Sequence, residues 1–368
     1  MASFTINSGE FLDAISAIFP LVPNKPPRDI LKCFKIEAKL DHSLHIHTTD
    51  LETFASVKLD TGVMVHVEGS FTVPAAILLE YAKSLDGGNA EFLVTPEEAL
   101  RISEGEAIFQ VGLQDIDEYP TFPDIPENLT QVGLPLPALG KALTQVTFAV
   151  ADKGSPRWGT LNAVCLETSD REVALIGTDT HRVSLVKVEV DAALPEASYL
   201  VPSKTLALIP KIFTEEEVQV SFGNTHNLVF SDEKTTILVR LLHGNFPPVR
   251  NFIPNHPKEV ELDAASFLKQ VRKSSLATDK HSTLRLELSN NKMKLLTKTR
   301  QQRKVAKVEF SMEYDGDDFE FALNCKYLMD ALKASSNDQP ITMHFNQNNQ
   351  PILFTQDSYT HLIVPQVI

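Results

Sequence analysis

Phe4-Thr5-Ile6-Asn7-Ser8-Gly9-Glu10-Phe11-Leu12-Asp13-Ala14-Ile15-Ser16-Ala17-Ile18-Phe19 reads as a short strand turning directly into an amphipathic helix. Phe11, Leu12, Ile15, Ile18 and Phe19 recur at helical spacing, with Ser8 placed to cap the helix and Pro20 to stop it. The same phrase opens residues 134–146 and 260–276. Each time a block of alternating strands follows, at 30–59, 158–190 and 284–310, and then a second strand-into-helix unit at 71–85, 199–213 and 321–332. Each third closes on a similar turn: Phe122-Pro123-Asp124-Ile125-Pro126, Phe252-Ile253-Pro254 and Ile363-Val364-Pro365. A period of about 125 residues is too long for a solenoid and matches a whole domain. Three domains are therefore expected, at 1–127, 128–254 and 255–368. A chain that repeats one domain three times points to a function that lies in its geometry.

The other helices repeat the pattern. Pro137 suits a first turn before Leu139, Leu143 and Val146, and Asp263 can cap a helix that turns Phe267, Leu268 and Val271 inward. Pro74 precedes Ile77, Leu78, Tyr81 and Leu85, and Asn324 can cap Tyr327, Leu328 and Leu332. Pro202 precedes Leu206, Ile209 and Phe213, where Pro210 should kink or shorten the helix. Between helices the period is two: Leu44, Ile46 and Thr48 against His45, His47 and Thr49, and Leu284, Leu286 and Leu288 against Arg285, Glu287 and Ser289. That alternation marks antiparallel sheet with one wet side. The fold class expected is α+β, with antiparallel sheets and two helices in each domain.

Composition narrows the function. Of the 368 residues 43% are hydrophobic, enough for several cores, yet no apolar run reaches the length of a membrane span. The start lacks the basic flank and apolar core of a signal peptide, so a cytoplasmic protein is expected. Cys33, Cys165 and Cys325 are odd in number, widely spaced and without a CxxC, and read as buried hydrophobes in a reducing compartment. The net charge of −14 argues against gripping nucleic acid by phosphate neutralisation unless the cations share one surface. They do collect on the wet helix faces, as Lys83, Lys141, Lys204, Lys211, Lys269, Arg272, Lys273, Lys326 and Lys333. Acids gather instead at 115–118, 215–217 and 313–318, expected as loops that keep the particle soluble.

Catalytic and cofactor motifs are missing: no P-loop, GxGxxG, HExxH or GxSxG occurs. Gly177-Thr178-Asp179-Thr180-His181-Arg182 is the densest polar cluster. An enzyme would use His181 as base, Asp179 to orient it and Arg182 as an anion clamp. On a strand, however, residues two apart share a face at too great a distance for His–Asp pairing. His45 and His47 share a strand face without a third metal ligand, so a polar sheet face is expected there.

At that cluster the chain resembles a known family. Arg157-Trp158-Gly159-Thr160-Leu161-Asn162 with Thr178-Asp179-Thr180-His181-Arg182-Val183, Val201-Pro202-Ser203-Lys204, Leu241-Leu242-His243-Gly244-Asn245-Phe246-Pro247 and His361-Leu362-Ile363-Val364-Pro365 are similar to the bacterial sliding clamp, the β subunit of DNA polymerase III. The resemblance covers the whole chain. It implies a non-enzymatic, head-to-tail homodimeric ring whose helices line a hole around duplex DNA. A clamp loader opens the ring, and DNA polymerases and repair proteins dock through short peptides with hydrophobic ends. No cofactor is implied. The alternative is a divergent paralogue that keeps the ring as a scaffold for other partners.

Carried onto this sequence, the peptide cleft comprises Leu161, Thr178, Thr180, His181, Arg182, Val183, Pro247, Asn251, Phe252, Pro351, Leu362, Val364, Pro365 and Gln366, with backbone near Thr180 and His181 bonding the peptide. Thr180 stands where the family usually has glycine, Asn251 where arginine is common, and Gln366-Val367 in place of an apolar residue and arginine. The DNA-facing set is Lys25, Lys83, Lys141, Trp158, Lys204, Lys211, Lys269, Arg272 and Lys273. For the subunit contact, Phe109 and Val111 match apolar edge-strand positions of the first domain. Ser275 and Leu276 match a helix end of the third, and His281 stands where a bulky apolar residue is common.

Overall fold

The computed structural model describes residues 2–126, 128–151, 159–278, 282–298 and 304–367. The chain packs as two compact units, residues 1–137 with 204–241, and residues 138–203 with 242–368.

The first unit holds two antiparallel sheets. One has the order β5 (Met64–Val67), β1 (Ser3–Asn7), β7 (Asn89–Val94), β8 (Ala99–Glu104), β9 (Ala107–Gly112). The other runs β10 (Thr130–Pro135), β13 (Glu217–Phe222), β14 (Asn227–Ser231), β15 (Thr235–Arg240), β4 (Thr53–Leu59), β3 (Ser43–Thr49), β2 (Cys33–Lys39), β6 (Gly69–Pro74). Pairing of β15 with β4, Thr235 opposite Val57, makes one sheet out of strands from two sequence repeats. Helix α1 (Ser8–Ile18) packs against α2 (Ala75–Lys83). Asn7, rather than Ser8, caps α1: its side chain accepts from the Gly9 and Glu10 amides. The Ser8 hydroxyl instead donates to Glu104 at 2.7 Å. In α2 the buried face is Ala75, Leu78, Leu79 and Ala82, while Ile77 is exposed and Tyr81 and Leu85 are half-buried.

The second unit repeats the scheme. Its six-stranded sheet runs β11 (Ala163–Thr178), β12 (Arg182–Pro202), β23 (Tyr359–Ile363), β22 (Ile352–Gln356), β21 (Ile341–Phe345), β16 (Lys258–Leu262). Its four-stranded sheet runs β19 (Val305–Ser311), β18 (Lys292–Lys298), β17 (Thr283–Ser289), β20 (Phe319–Asn324). Again a sheet crosses repeats, through β12 and β23 with Val183 opposite Leu362. Helix α3 (Leu136–Val146) turns Leu139, Ala142, Leu143 and Val146 inward. Helix α6 (Ala264–Ser275), capped by Asp263, packs on α7 (Cys325–Ala334), capped by Asn324. In the first unit Pro210 acts as expected: the middle copy of the second helix is split into α4 (Ser203–Leu206) and α5 (Ile209–Ile212). Every strand pairing is antiparallel among the described residues, as the alternation predicts.

The three cysteines are buried and free, and burial pushes each thiol up to about 11, which leaves them unreactive near neutral pH.

Candidate functional site

The segment 178–182 is a tight turn joining β11 to β12, not the strand that the sequence suggested. Thr178 Oγ1 donates to the Arg182 carbonyl at 2.7 Å and accepts from the Thr180 amide at 3.2 Å. Asp179 Oδ1 accepts from the His181 and Arg182 amides at 3.0 and 3.1 Å. Thr180 sits at φ +78°, a conformation that costs a β-branched residue free energy and a glycine almost none. The His181 carbonyl accepts from the Val364 amide at 2.9 Å. The N–H groups of Thr180, His181 and Arg182 are thus engaged within the turn, while the His181 carbonyl keeps a second lone pair. Asp179 is occupied by backbone and by Arg182, which leaves the exposed His181 ring without the orienting carboxylate a general base needs.

Beside the turn lies an apolar patch. Val183, Leu185, Ile176, Leu200, Val249, Leu353 and Leu362 form one buried cluster, with Leu242, Phe246 and Ile253 packed on it half-exposed. Of the sequence-derived cleft residues, Leu161, Thr178, Arg182, Val183 and Leu362 are buried. Pro247, Pro351, Pro365 and Gln366 are half-buried, and Thr180, His181 and Asn251 are exposed. Phe252 is 62% exposed and Val364 40%, so these two are the apolar side chains left for a partner. Sequence reasoning missed Leu242, Phe246, Ile253 and Leu353, which only the strand register brings together. The Leu242 amide bonds the Leu200 carbonyl at 2.9 Å, and Leu353 faces Leu362 across β22 and β23.

Arg182 is tied into the protein around the turn. Its guanidinium is buried, with Nε on Asp179 at 2.9 Å, Nη1 on Asp330 of α7 at 3.0 Å and Nη2 on the Phe148 carbonyl at 2.5 Å. It lies 4.3 Å from the Tyr327 ring centre and 5.2 Å from that of Phe148. Three of its five N–H donors are thereby taken up within the protein.

The cations expected to face DNA are placed as solvent-exposed helix residues. Lys269, Arg272 and Lys273 share α6, with Lys326 and Lys333 on the adjoining α7. In the first unit Lys83 ends α2, Lys204 and Lys211 lie on α4 and α5, and Lys25 sits in an exposed loop. Lys141 is exposed on α3. Among the described residues only Lys333 of these forms an ion pair, at 3.6 Å from Asp330. Trp158 and His281 lie outside the described residues.

The expected subunit-contact residues occupy sheet and helix ends. β9 is an edge strand, with Val111 buried and Phe109 half-buried and stacked on Tyr81 at 4.8 Å. In the other unit Leu276 caps α6 with 80% exposure beside Ser275. β19 is a second open edge, exposing Val305, which sequence reading did not single out.

Among the described residues no three His, Cys, Asp or Glu side chains converge as a metal site requires. His45 and His47 stack at 6.2 Å on their sheet face, with Glu37 at 3.7 Å from His47. No described helix is long and apolar enough to cross a membrane.

Family models of the DNA polymerase III beta subunit match nearly the full length: its N-terminal domain at residues 2–123, central domain at 134–248 and C-terminal domain at 250–366. The chain belongs to this family. It is 24% identical over 379 residues to a beta sliding clamp of Staphylococcus aureus, covering 99% of both chains. Its fold is that of solved sliding clamps. The Bacillus subtilis DNA polymerase sliding clamp superposes with a TM-score of 0.91 at 22% identity, covering 100% of this chain and 99% of that one. A Pseudomonas aeruginosa clamp gives 0.93 at 21% identity over 100% of each, and one bound to griselimycin gives 0.92 at 21%, again over 100% of each.

Proposed function

We propose that this family member is a DNA sliding clamp. Two copies close head to tail into a ring around duplex DNA, and the ring tethers the replicative polymerase and other partners through short peptides. The observation that carries the reading is the match of all three domains of one family, in order, along the chain. Exposed cations on the helices in a chain of net charge −14 support it: a ring held by topology needs a favourable lining, not tight phosphate contacts. A clamp loader opens the ring, and the protein works in the cytoplasm, on the nucleoid during replication. The domains are those expected from the repeats, 1–127, 128–254 and 255–368. The cleft is the patch beside the 178–182 turn, bounded by Phe252, Val364 and Pro247. Catalysis has no part in this account.

Primer extension by the organism's own replicative polymerase, with clamp loader and ATP, tests the function. Under single-encounter conditions the products should lengthen when the chain is added. They should shorten again with Phe252→Ala, which removes an exposed anchor at little cost to the fold. An aromatic anchor in such a site contributes about 1–3 kcal/mol to binding. Leu362→Ala is the poorer probe, because Leu362 is 3% exposed and its loss also opens the core. Products of unchanged length with the wild-type chain would contradict the proposal, and a ring that is loaded without lengthening them would be the scaffold paralogue.

A further inference from the structure

We infer that Asp330 of α7 is a positioning residue for the partner cleft: through Arg182 it holds the 178–182 turn in the shape the cleft requires. This rests on the cleft reading above. The turn carries a threonine at φ +78°, so left alone it would relax toward negative φ and move the backbone that borders Val183. What opposes relaxation is a chain of contacts leading out of the turn. Asp179 binds two turn amides through Oδ1 and Arg182 Nε through Oδ2. Arg182 then reaches Asp330 at 3.0 Å and the Phe148 carbonyl beyond α3, with its plane between two aromatic rings. The side chains of Arg182, Asp179 and Asp330 are only 8%, 14% and 18% exposed, so solvent screens the ion pairs weakly. A planar guanidinium serves three acceptors in fixed directions, which a lysine ammonium cannot reproduce. Among the described residues Asp330 meets the turn only at the Arg182 side chain, its other ion pair being with Lys333 of its own helix, so its effect on a ligand passes through Arg182.

The geometry gives this role a signature that a general loss of stability would not share. If Asp330 acts by holding a strained turn, it matters only while the strain is there. Glycine at position 180 removes the strain, and the two sites should then couple. The test measures binding of a fluorescein-labelled peptide, taken from the organism's own replicative polymerase and ending in its hydrophobic clamp-binding residues, to four full-length chains: wild type, Asp330→Asn, Thr180→Gly and the double variant. Asp330→Asn should weaken binding about five- to twentyfold in the threonine background and less than about twofold in the glycine background. Amide exchange at His181 and Arg182 should quicken in Asp330→Asn and return toward wild type in Asp330→Glu. Arg182→Lys should fail to restore the turn. If Asp330→Asn does not fold, Asp330→Ala in both backgrounds supplies the same comparison. An equal loss in both backgrounds, or none in either, overturns the positioning role while leaving the cleft intact. A wild-type chain that does not bind the peptide, or binds it equally well after Phe252→Ala, overturns the cleft reading and the positioning role with it.

Discussion

Phe109→Asp should leave the protein a monomer at concentrations where the unaltered chain is expected to run at about twice its 40.8 kDa mass. Strand β9 closes the five-stranded sheet and presents an open backbone edge. Such an edge invites pairing unless charge, proline or another chain covers it. The residues of β9 do not blunt it: Ala107, Ile108, Phe109, Gln110, Val111 and Gly112 carry no charge, and Ile108 is 57% exposed. At the other end of the chain β19 leaves a second edge open, near an α6 whose cap, Leu276, is 80% exposed. Pairing of these two regions between copies, twice around a twofold axis, would close a ring and leave neither edge free. An aspartate at position 109 would be buried there without a partner, at a cost of about 3–5 kcal/mol. That is a loss of roughly two to four decades in affinity. Light scattering on a size-exclusion column reads it directly. A wild-type monomer at micromolar concentration would contradict the dimeric ring, and a variant still dimeric would place the contact elsewhere.

The second large effect is on stability in acid and centres on His361. This ring is fully buried between Phe148 and Tyr359, neither nitrogen has a hydrogen-bond partner, and burial followed by the nearby Arg182 charge holds its pKa down to about 3. In the unfolded chain the same histidine titrates near 6.5. Between these values the unfolded state binds the extra proton, so stability is full above pH 6.5 and falls as the pH drops toward 3. Each pH unit inside that window is worth about 1.4 kcal/mol, so denaturant unfolding at pH 4.5 should show about 2–3 kcal/mol less stability from this residue than at pH 7.5. His361→Leu should remove that part of the slope, leaving the carboxylates' share. It should cost little at neutral pH, since the ring makes no hydrogen bond that leucine would forfeit. Both proteins are compared at one concentration, because dimerisation adds to apparent stability. Equal slopes for the two would show that His361 is not buried as described.

What the sequence disclosed, and what it did not, follows from the range of the interactions involved. Helix faces, the Asp263 and Asn324 caps and the break at Pro210 depend on residues within a turn or two of each other, and were legible. The α1 cap was misplaced by one position because Asn7 and Ser8 can both cap, and a Ser8 contact with Glu104, 96 residues away, decides between them. Sheets that run from one repeat into the next, through β15 with β4 and β12 with β23, were not legible, because edge strands of separate repeats carry no local mark of their partners. For the cleft, the resemblance named residues but not their exposure. Val183 and Leu362 face each other across paired strands and are covered, while Phe252 and Val364 stand outside. The contacts of Arg182 with Asp330 and Phe148 were not legible either, because they join residues far apart in the sequence. Thr180 was marked as out of place because the family it resembles usually has glycine there, and its positive φ supplies the reason.

The claim on which the whole account depends is that DNA is held by encirclement. The decisive measurement loads labelled protein onto nicked circular DNA with the clamp loader, filters the complex in moderate salt, and then cuts the circle once. Retention on the circle and loss after linearisation are expected, while direct binding to short duplexes should stay weak and fall further with salt. Retention on linear DNA with free ends would show that affinity does the holding, and would contradict the ring.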